Sequence, residues 1–219
     1  MQFFDLSHTI ESGMQTYKGL PPPLVCDYLS REASRKLYAP GTEFQIGRID
    51  MVANTGTYLD SPFHRYADGA DLSQLPLSML ASLPCLIARV DTSQSRAVDA
   101  LPFSASEVRG KAVLVNTDWD RHWRLERYFA GFPYLTQRLA LWLRDAGAAM
   151  VGIDSHNIDC TDEGTRPVHS ILLRADVPIV EHLHNLAAVP ERGAKFFAVP
   201  VKVRGMGTFP VRAFAAIDD

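Results

Sequence analysis

The segment NTGTYLDSPFH, residues 54–64, places an acid, Asp60, four residues before an imidazole, His64. A carboxylate and an imidazole can bind a divalent metal ion together, or they can exchange a proton with a substrate. The segment follows an apolar run and contains Gly56 and Pro62, a composition typical of a rigid loop that carries functional side chains. We therefore predict that Asp60 and His64 belong to an active-site loop.

Two further groups can join this pair. His169 lies at the start of a predicted short helix, and Glu181 lies at the end of the strand that follows. If these ends converge on Asp60, the carboxylate, imidazole and carboxylate suit a catalytic divalent cation, with His64 left as proton carrier. Residue types alone do not decide this, because a loop Asp often caps a turn and a Glu at a strand end is often solvated.

The elements that must position these groups are predicted from hydrophobic periodicity. Apolar residues at helical spacing predict an amphipathic helix over 135–146, with Thr136 as N-cap and Gly147 at its end. A second helix is predicted over 168–176. A strand with a bulge around Gly47 is predicted to lead into the segment 54–64. Short apolar or alternating runs predict further strands at 84–91, 111–118, 148–154, 177–181, 196–203 and 211–217.

Strands and helices in this mixed order predict a compact α/β fold with a mixed sheet, formed as a single domain over residues 1–219. The 219 residues are 47% hydrophobic and 21% charged, with a formal net charge of -3. No basic run or long apolar run is present, so nucleic acid and membranes are not expected as partners. The three separate Cys residues and the lack of an evident signal peptide favour a cytoplasmic location.

Six segments in order along the chain resemble the cyclase-like metal hydrolases, which include bacterial kynurenine formamidase and isatin hydrolase. The segments are FDLSHTIESGMQTYKG, NTGTYLDSPFHRYADG, NTDWDRHW, VGIDSHNID, VHSILLRADVPIVEHL and PVKVRGMGTFPVRAFA. The resemblance implies a swivelling β/β/α fold around a small barrel-like sheet, in a homodimer or homotetramer. It also implies that a metal-activated water opens an amide, cyclic amide or lactone bond of a small-molecule substrate.

The segment 54–64 departs from the family motif H-x-G-T-H-x-D-x-P-x-H at two positions. Asn54 and Tyr58 stand where the family has two metal-binding His residues. Asp60 matches the shared metal ligand and His64 matches the proton carrier. His169 and Glu181 match the remaining ligands of a second metal position. The resemblance therefore implies one divalent ion, Zn or Mn, on Asp60, His169 and Glu181.

Three interpretations stay open at this point. The chain is a mononuclear metal hydrolase, or a metal-free enzyme that performs acid–base or lyase chemistry, or a binding protein that has lost catalysis. For Tyr58 there are two alternatives: its phenol donates a hydrogen bond to a developing oxyanion, or it fills the volume of an absent ligand. Tyr17, Asn54 and Phe63 are predicted to contact an aromatic substrate.

Overall fold

The computed structural model describes residues 1–218, which contain thirteen strands and four α-helices. The strands are β1 Gln2–Asp5, β2 Leu24–Leu29, β3 Ile46–Asp50, β4 Tyr58–Asp60, β5 Leu83–Arg89, β6 Ala97–Val98, β7 Ala112–Asn116, β8 Tyr134–Leu135, β9 Met150–Ile153, β10 Ile179–Glu181, β11 Lys195–Phe197, β12 Thr208–Pro210 and β13 Phe214–Ile217. The helices are α1 Arg31–Ser34, α2 Ala105–Val108, α3 Gln137–Ala146 and α4 Pro167–Arg174.

Nine strands form one curled sheet in the order β1-β13-β11-β5-β7-β9-β10-β4-β12. The central strands β5, β7, β9 and β10 are parallel, and antiparallel strands extend the sheet on both sides. The sheet curls as a half barrel, so the predicted mixed α/β class with a barrel-like core is confirmed. No helix among residues 1–218 is long and apolar enough to cross a membrane.

Both faces of the parallel strands are buried, as expected when a sheet lies between two apolar layers. On β7, Ala112 and Leu114 belong to one buried cluster, whereas Val113 and Val115 belong to the other. The second cluster also contains the apolar face of α3, including Leu139 and Leu143. The packing of α3 against the sheet therefore fixes the strands whose ends carry the site.

The predicted ends of α3 are confirmed. The Thr136 hydroxyl accepts a hydrogen bond from the backbone N–H of Leu139 at 3.2 Å, which satisfies one of the unpaired donors of the first turn. Gly147 closes the helix with φ of 79°, in the left-handed region that glycine adopts without steric cost. The second predicted helix is also present as α4, with Pro167 in its first turn.

Two local predictions are wrong, and the strand predicted over 196–203 is limited to β11, Lys195–Phe197. The bulge does not lie at Gly47 on β3, because the register between β2 and β3 shifts between Asp27 and Leu29, which leaves Tyr28 as the extra residue. Asp60 does not lie in a loop but in the short strand β4, between β10 and β12. The sequence pattern could not show this strand because all three of its residues are buried and no polar alternation remains.

Candidate active site

Strand β4 and its two neighbours bring four polar side chains together. Tyr58 and Asp60 lie two residues apart and therefore project from the same face of the sheet. In the register, Tyr58 is opposite Glu181 of β10 and Asp60 is opposite Thr208 of β12. All four residues are at most 3% exposed. The pairing of three short strands thus assembles the acidic part of the site.

His169 comes from the first turn of α4 and is held by a buried carboxylate. Asp159 accepts hydrogen bonds from the backbone N–H groups of Val168 and His169 at 2.7 and 3.0 Å. The same carboxylate lies 2.6 Å from Nδ1 of His169. Since a carboxylate without a proton can only accept, Nδ1 carries a hydrogen and Nε2 points toward the other acids. This is the arrangement that orients metal-binding histidines in proteins.

The atoms that converge here fit a divalent cation. Nε2 of His169 lies 3.7 Å from Oδ2 of Asp60 and 3.8 Å from Oε1 of Glu181. Oδ2 of Asp60 is buried and has no hydrogen-bond partner in the described residues. Buried carboxylate oxygens are normally paired or bound to metal, so this unpartnered atom is available to a cation. Asp60, His64 and His169 also present ligand atoms within 4.8 Å of one another, which offers His64 as an alternative third ligand.

Without a cation, protons balance the charges in this site. Burial opposes the charged form of His169, but its hydrogen bond to Asp159 and the nearby carboxylates of Asp60 and Glu181 raise its pKa to about 10. Burial raises the pKa of Glu181 to about 7, although the charge of His169 acts in the opposite direction. Burial would also raise the pKa of Asp60, but the charges of His64 and His169 hold it below its ordinary value. Asp60 is therefore ionised near neutral pH.

Thr208 connects Asp60 to His64. Its hydroxyl contacts Oδ1 of Asp60 and lies 2.7 Å from Nδ1 of His64. An ionised Asp60 has no hydrogen to give, so the single hydroxyl hydrogen of Thr208 is donated to Asp60. Nδ1 of His64 must then donate its own hydrogen to the Thr208 oxygen. In the neutral form of the His64 ring the lone pair is therefore on Nε2, which makes no hydrogen bond within residues 1–218.

Close backbone packing places Thr208 beside His64. A Cβ atom on the preceding residue, Gly207, would lie 2.3 Å from the backbone N of His64 and 2.4 Å from its Cα. Only glycine therefore fits there. The carbonyl of Gly207 also accepts a hydrogen bond from the backbone N–H of Ser61 at 2.7 Å. These contacts fix the chain before β12 against the turn that carries His64.

Tyr58 has a partner that neither sequence-based alternative included. Its hydroxyl donates to Oε2 of Glu181 at 2.6 Å, and Ile158 donates its backbone N–H to Oε1 at 2.6 Å. Burial and the charge of Glu181 hold the pKa of Tyr58 well above its ordinary value, so the phenol keeps its hydrogen. Because this hydrogen already serves Glu181, an oxyanion role would require it to leave that carboxylate.

The site opens into a cavity of about 1210 Å³. The residues that line it include Tyr17, Asn54, Tyr58, His64, His169 and Glu181, whereas Asp60 is fully buried and does not line it. The Tyr17 hydroxyl accepts a hydrogen bond from the Asn157 side chain at 2.7 Å. Phe63 is not among the lining residues, so the structure does not support its predicted contact with a substrate. Substrate contact by Tyr17 and Asn54 stays a prediction.

Residues 4–160 match the sequence profile of the family named Cyclase and described as "Putative cyclase". The match covers more than half of the chain. The chain belongs to the cyclase family. This result confirms the recognition made from the six sequence segments.

Two solved structures and a curated relative agree with this assignment. The kynurenine formamidase of Bordetella avium (strain 197N) is 27% identical over 216 residues, which cover 97% of this chain and 96% of the relative. A structure described as a potential metal-dependent hydrolase with cyclase activity is 27% identical, with a TM-score of 0.77 over 98% of this chain and 96% of that one. The structure of isatin hydrolase A from Labrenzia aggregata bound to benzyl benzoate has a TM-score of 0.81 at 19% identity. The alignment covers 100% of this chain and 94% of that one, and it supports the fold. The predicted enzyme class, a cyclase-family hydrolase, is confirmed.

Sequence reasoning missed two residues that hold the site together, Asp159 and Thr208. Both lie inside segments that resemble the family, VGIDSHNID and PVKVRGMGTFPVRAFA. Asp159 precedes His169 by ten residues, and Thr208 follows His64 by 144. The partners in each pair lie in different parts of the fold, so no local sequence pattern relates them and only the three-dimensional structure shows these contacts.

Proposed function

We propose that this protein hydrolyses an amide bond, open or cyclic, in a small aromatic substrate. The curated relative named kynurenine formamidase and the structural relative named isatin hydrolase support this reaction class. The observation that carries the proposal is the Asp60–Thr208–His64 chain, which ends in a free Nε2 atom beside His169 and Glu181 in one cavity. Tyr17 supplies an aromatic wall at the same cavity.

A single divalent ion, Zn or Mn, would be held by Asp60, His169 and Glu181. Such an ion supplies Lewis-acid polarisation of a carbonyl and lowers the pKa of water. Hydrogen bonds orient two of the proposed ligands, because Asp159 binds His169 and Tyr58 donates to Glu181. Asn54 and Tyr58 are poor substitutes for two imidazoles, and we therefore expect no more than one tightly bound ion per chain.

His64 moves the proton in this proposal. Its Nε2 accepts a proton from the attacking water as oxygen adds to the carbonyl carbon. The same atom then delivers the proton to the leaving nitrogen as the C–N bond breaks, which yields a carboxylic acid and an amine, and the acid releases its remaining proton to solvent. The side chain of His64 is 34% exposed, so it can reach both groups in an open cavity.

Two alanine variants test this division of roles. His64→Ala should lower kcat at least about 100-fold while the metal content stays unchanged, because general acid–base catalysis is lost. His169→Ala should remove both metal and activity. The exposed His184, which pairs with Asp120 outside the cavity, provides the control variant His184→Ala. Equal metal loss in the His64 and His169 variants would show that His64 is a ligand, as the Asp60, His64 and His169 cluster also permits.

A metal-free acid–base enzyme is the second candidate. The observation that favours it is the proton balance in the site, where His169 as an imidazolium lies within 4 Å of two carboxylates. Protein purified without chelator would then contain no stoichiometric metal, and chelation would leave its turnover unchanged. One equivalent of Zn or Mn, with activity lost on chelation and restored by the ion, supports the metal hydrolase instead.

A further inference from the structure

Two arginines lie at the catalytic cavity without a carboxylate partner among the described residues. Arg65 follows His64 directly, and Arg166 precedes α4, the helix of His169. Both line the cavity. Within residues 1–218, neither guanidinium forms an ion pair, whereas arginines such as Arg138 and Arg212 on the outer surface do. Two guanidiniums without a carboxylate partner in the described residues thus lie at the cavity where a substrate would bind.

The Arg166 guanidinium is half-buried and anchored at one nitrogen. Its Nη1 donates to the backbone carbonyls of Glu163 and Thr165, both at 2.7 Å, and to that of Cys160 at 3.3 Å. Its Nε and Nη2 have no hydrogen-bond partner among the described residues. Glu163 also lines the cavity, but its carboxylate forms no ion pair with either arginine. A half-buried cation with open donors is a site for an external anion.

The Arg65 side chain is held toward α4. Its Nε donates to the Ser170 hydroxyl at 3.2 Å, and the same hydroxyl donates to the backbone carbonyl of Arg166 at 2.8 Å. The guanidinium also lies 5.5 Å from the centre of the Tyr66 ring. Both of its terminal nitrogens remain without a partner in residues 1–218. A planar guanidinium with two free nitrogens matches a carboxylate in a bidentate contact.

We propose that Arg65 and Arg166 form a specificity site for an anionic substituent, and that the preferred substrates are aromatic amides that carry a carboxylate. This inference rests on the proposed amide hydrolysis for its reaction. The scissile carbonyl lies at His64 and His169, and the substrate carboxylate lies against the two guanidiniums. The acids Asp60 and Glu181 are withdrawn from this contact by burial and by their own partners.

The test compares two substrates with the same ring and scissile bond. These are formanilide, which is neutral, and 2-formamidobenzoate, which carries a carboxylate. Wild-type protein should hydrolyse the carboxylated compound with a kcat/KM at least about 10-fold higher, and added salt should reduce that preference. In Arg65→Gln, KM for 2-formamidobenzoate should rise about 10- to 100-fold, while the values for formanilide change less than about 2-fold.

Two further variants make the result specific. Arg174→Gln is the matched control, because Arg174 lies 4.9 Å from the same Tyr66 ring but pairs with Asp68 and does not line the cavity. It should keep the wild-type preference. Arg65→Lys keeps the positive charge but cannot form the bidentate contact, so it should retain only part of the preference for 2-formamidobenzoate over formanilide. Arg65 is the decisive position, because a substitution of Arg166 would also remove its contacts with three loop carbonyls.

Failure of this inference can be told apart from failure of the proposed reaction. Equal kcat/KM for the two substrates, or an equal loss for both in Arg65→Gln, overturns the specificity site and leaves amide hydrolysis intact. If neither compound is hydrolysed, thermal shift with benzoate and with aniline replaces kinetics. Stabilisation by benzoate that disappears in Arg65→Gln then supports the anion site without the reaction, and no benzoate effect overturns the site.

Discussion

Replacing Thr208 by Val should reveal how much catalysis depends on the orientation of His64. Valine keeps the shape of threonine but removes the hydroxyl that donates to Asp60 and accepts from His64. His64 would lose its Nδ1 partner, and its partly exposed ring would become free to rotate and to change tautomer. Because general acid–base catalysis contributes about 100- to 10,000-fold, we expect kcat to fall roughly 10- to 100-fold.

The stability cost of the same change is too small to explain such a loss. Thr208 is 3% exposed, and its bond to an ionised carboxylate contributes about 1.5–3 kcal/mol. A domain with a free energy of unfolding of about 5–15 kcal/mol stays folded after this loss in all but the most marginal case. Urea melts of the variant will show whether enough stability remains. If the folded fraction of the variant equals that of the wild type, a decrease in kcat would reflect the lost orientation of the His64 ring.

Steady-state kinetics on formanilide should compare wild type, Thr208→Val and Thr208→Ser. Serine retains the hydroxyl, so we expect it to restore most of kcat, with KM nearly equal in all three proteins. Metal content must be measured in parallel, because Asp60 is also a proposed ligand. A Val variant with wild-type kcat, or a Ser variant as impaired as Val, would refute the orientation argument.

Three other changes follow from the packing of the site and the core. Tyr58→Phe removes the donor to Glu181 and should weaken metal binding about 10- to 100-fold, measured by competition with a chelator, at a stability cost of about 1.5–3 kcal/mol. Unchanged affinity would reduce Tyr58 to a filler. Leu143→Ala, at a fully buried position on α3, should lower the free energy of unfolding by about 2–5 kcal/mol in urea melts. Burial lowers the pKa of His156 to about 4, below its unfolded value of 6.5, so its contribution to stability is present above pH 6.5 and is lost as pH falls toward 4. His156→Phe should make the unfolding free energy less dependent on pH in that window, and an unchanged slope would contradict this.

The sequence predicted the regular elements better than the contacts between them. Helix α3 was predictable because its caps, Thr136 and Gly147, act locally. The parallel strands were predictable because both faces are apolar, which leaves continuous hydrophobic runs. Strand β4 was not predictable, since three buried residues give no periodic signal. The position of Phe63 also depends on the path of the whole turn, so membership in the motif did not place its ring in the cavity.

The departure from the family motif at Tyr58 affects a neighbour of the proposed ligands and leaves His64 and His169 in place. In this structure Tyr58 occupies a former ligand position and donates to Glu181, which is itself one of the proposed ligands. The phenol at this position would therefore orient a proposed metal ligand instead of contacting a metal itself. The groups that would act on substrate, His64 and His169, keep their own supports through Thr208 and Asp159. Both groups that would act on substrate are thus held in place by buried neighbours, as the proposed hydrolysis requires.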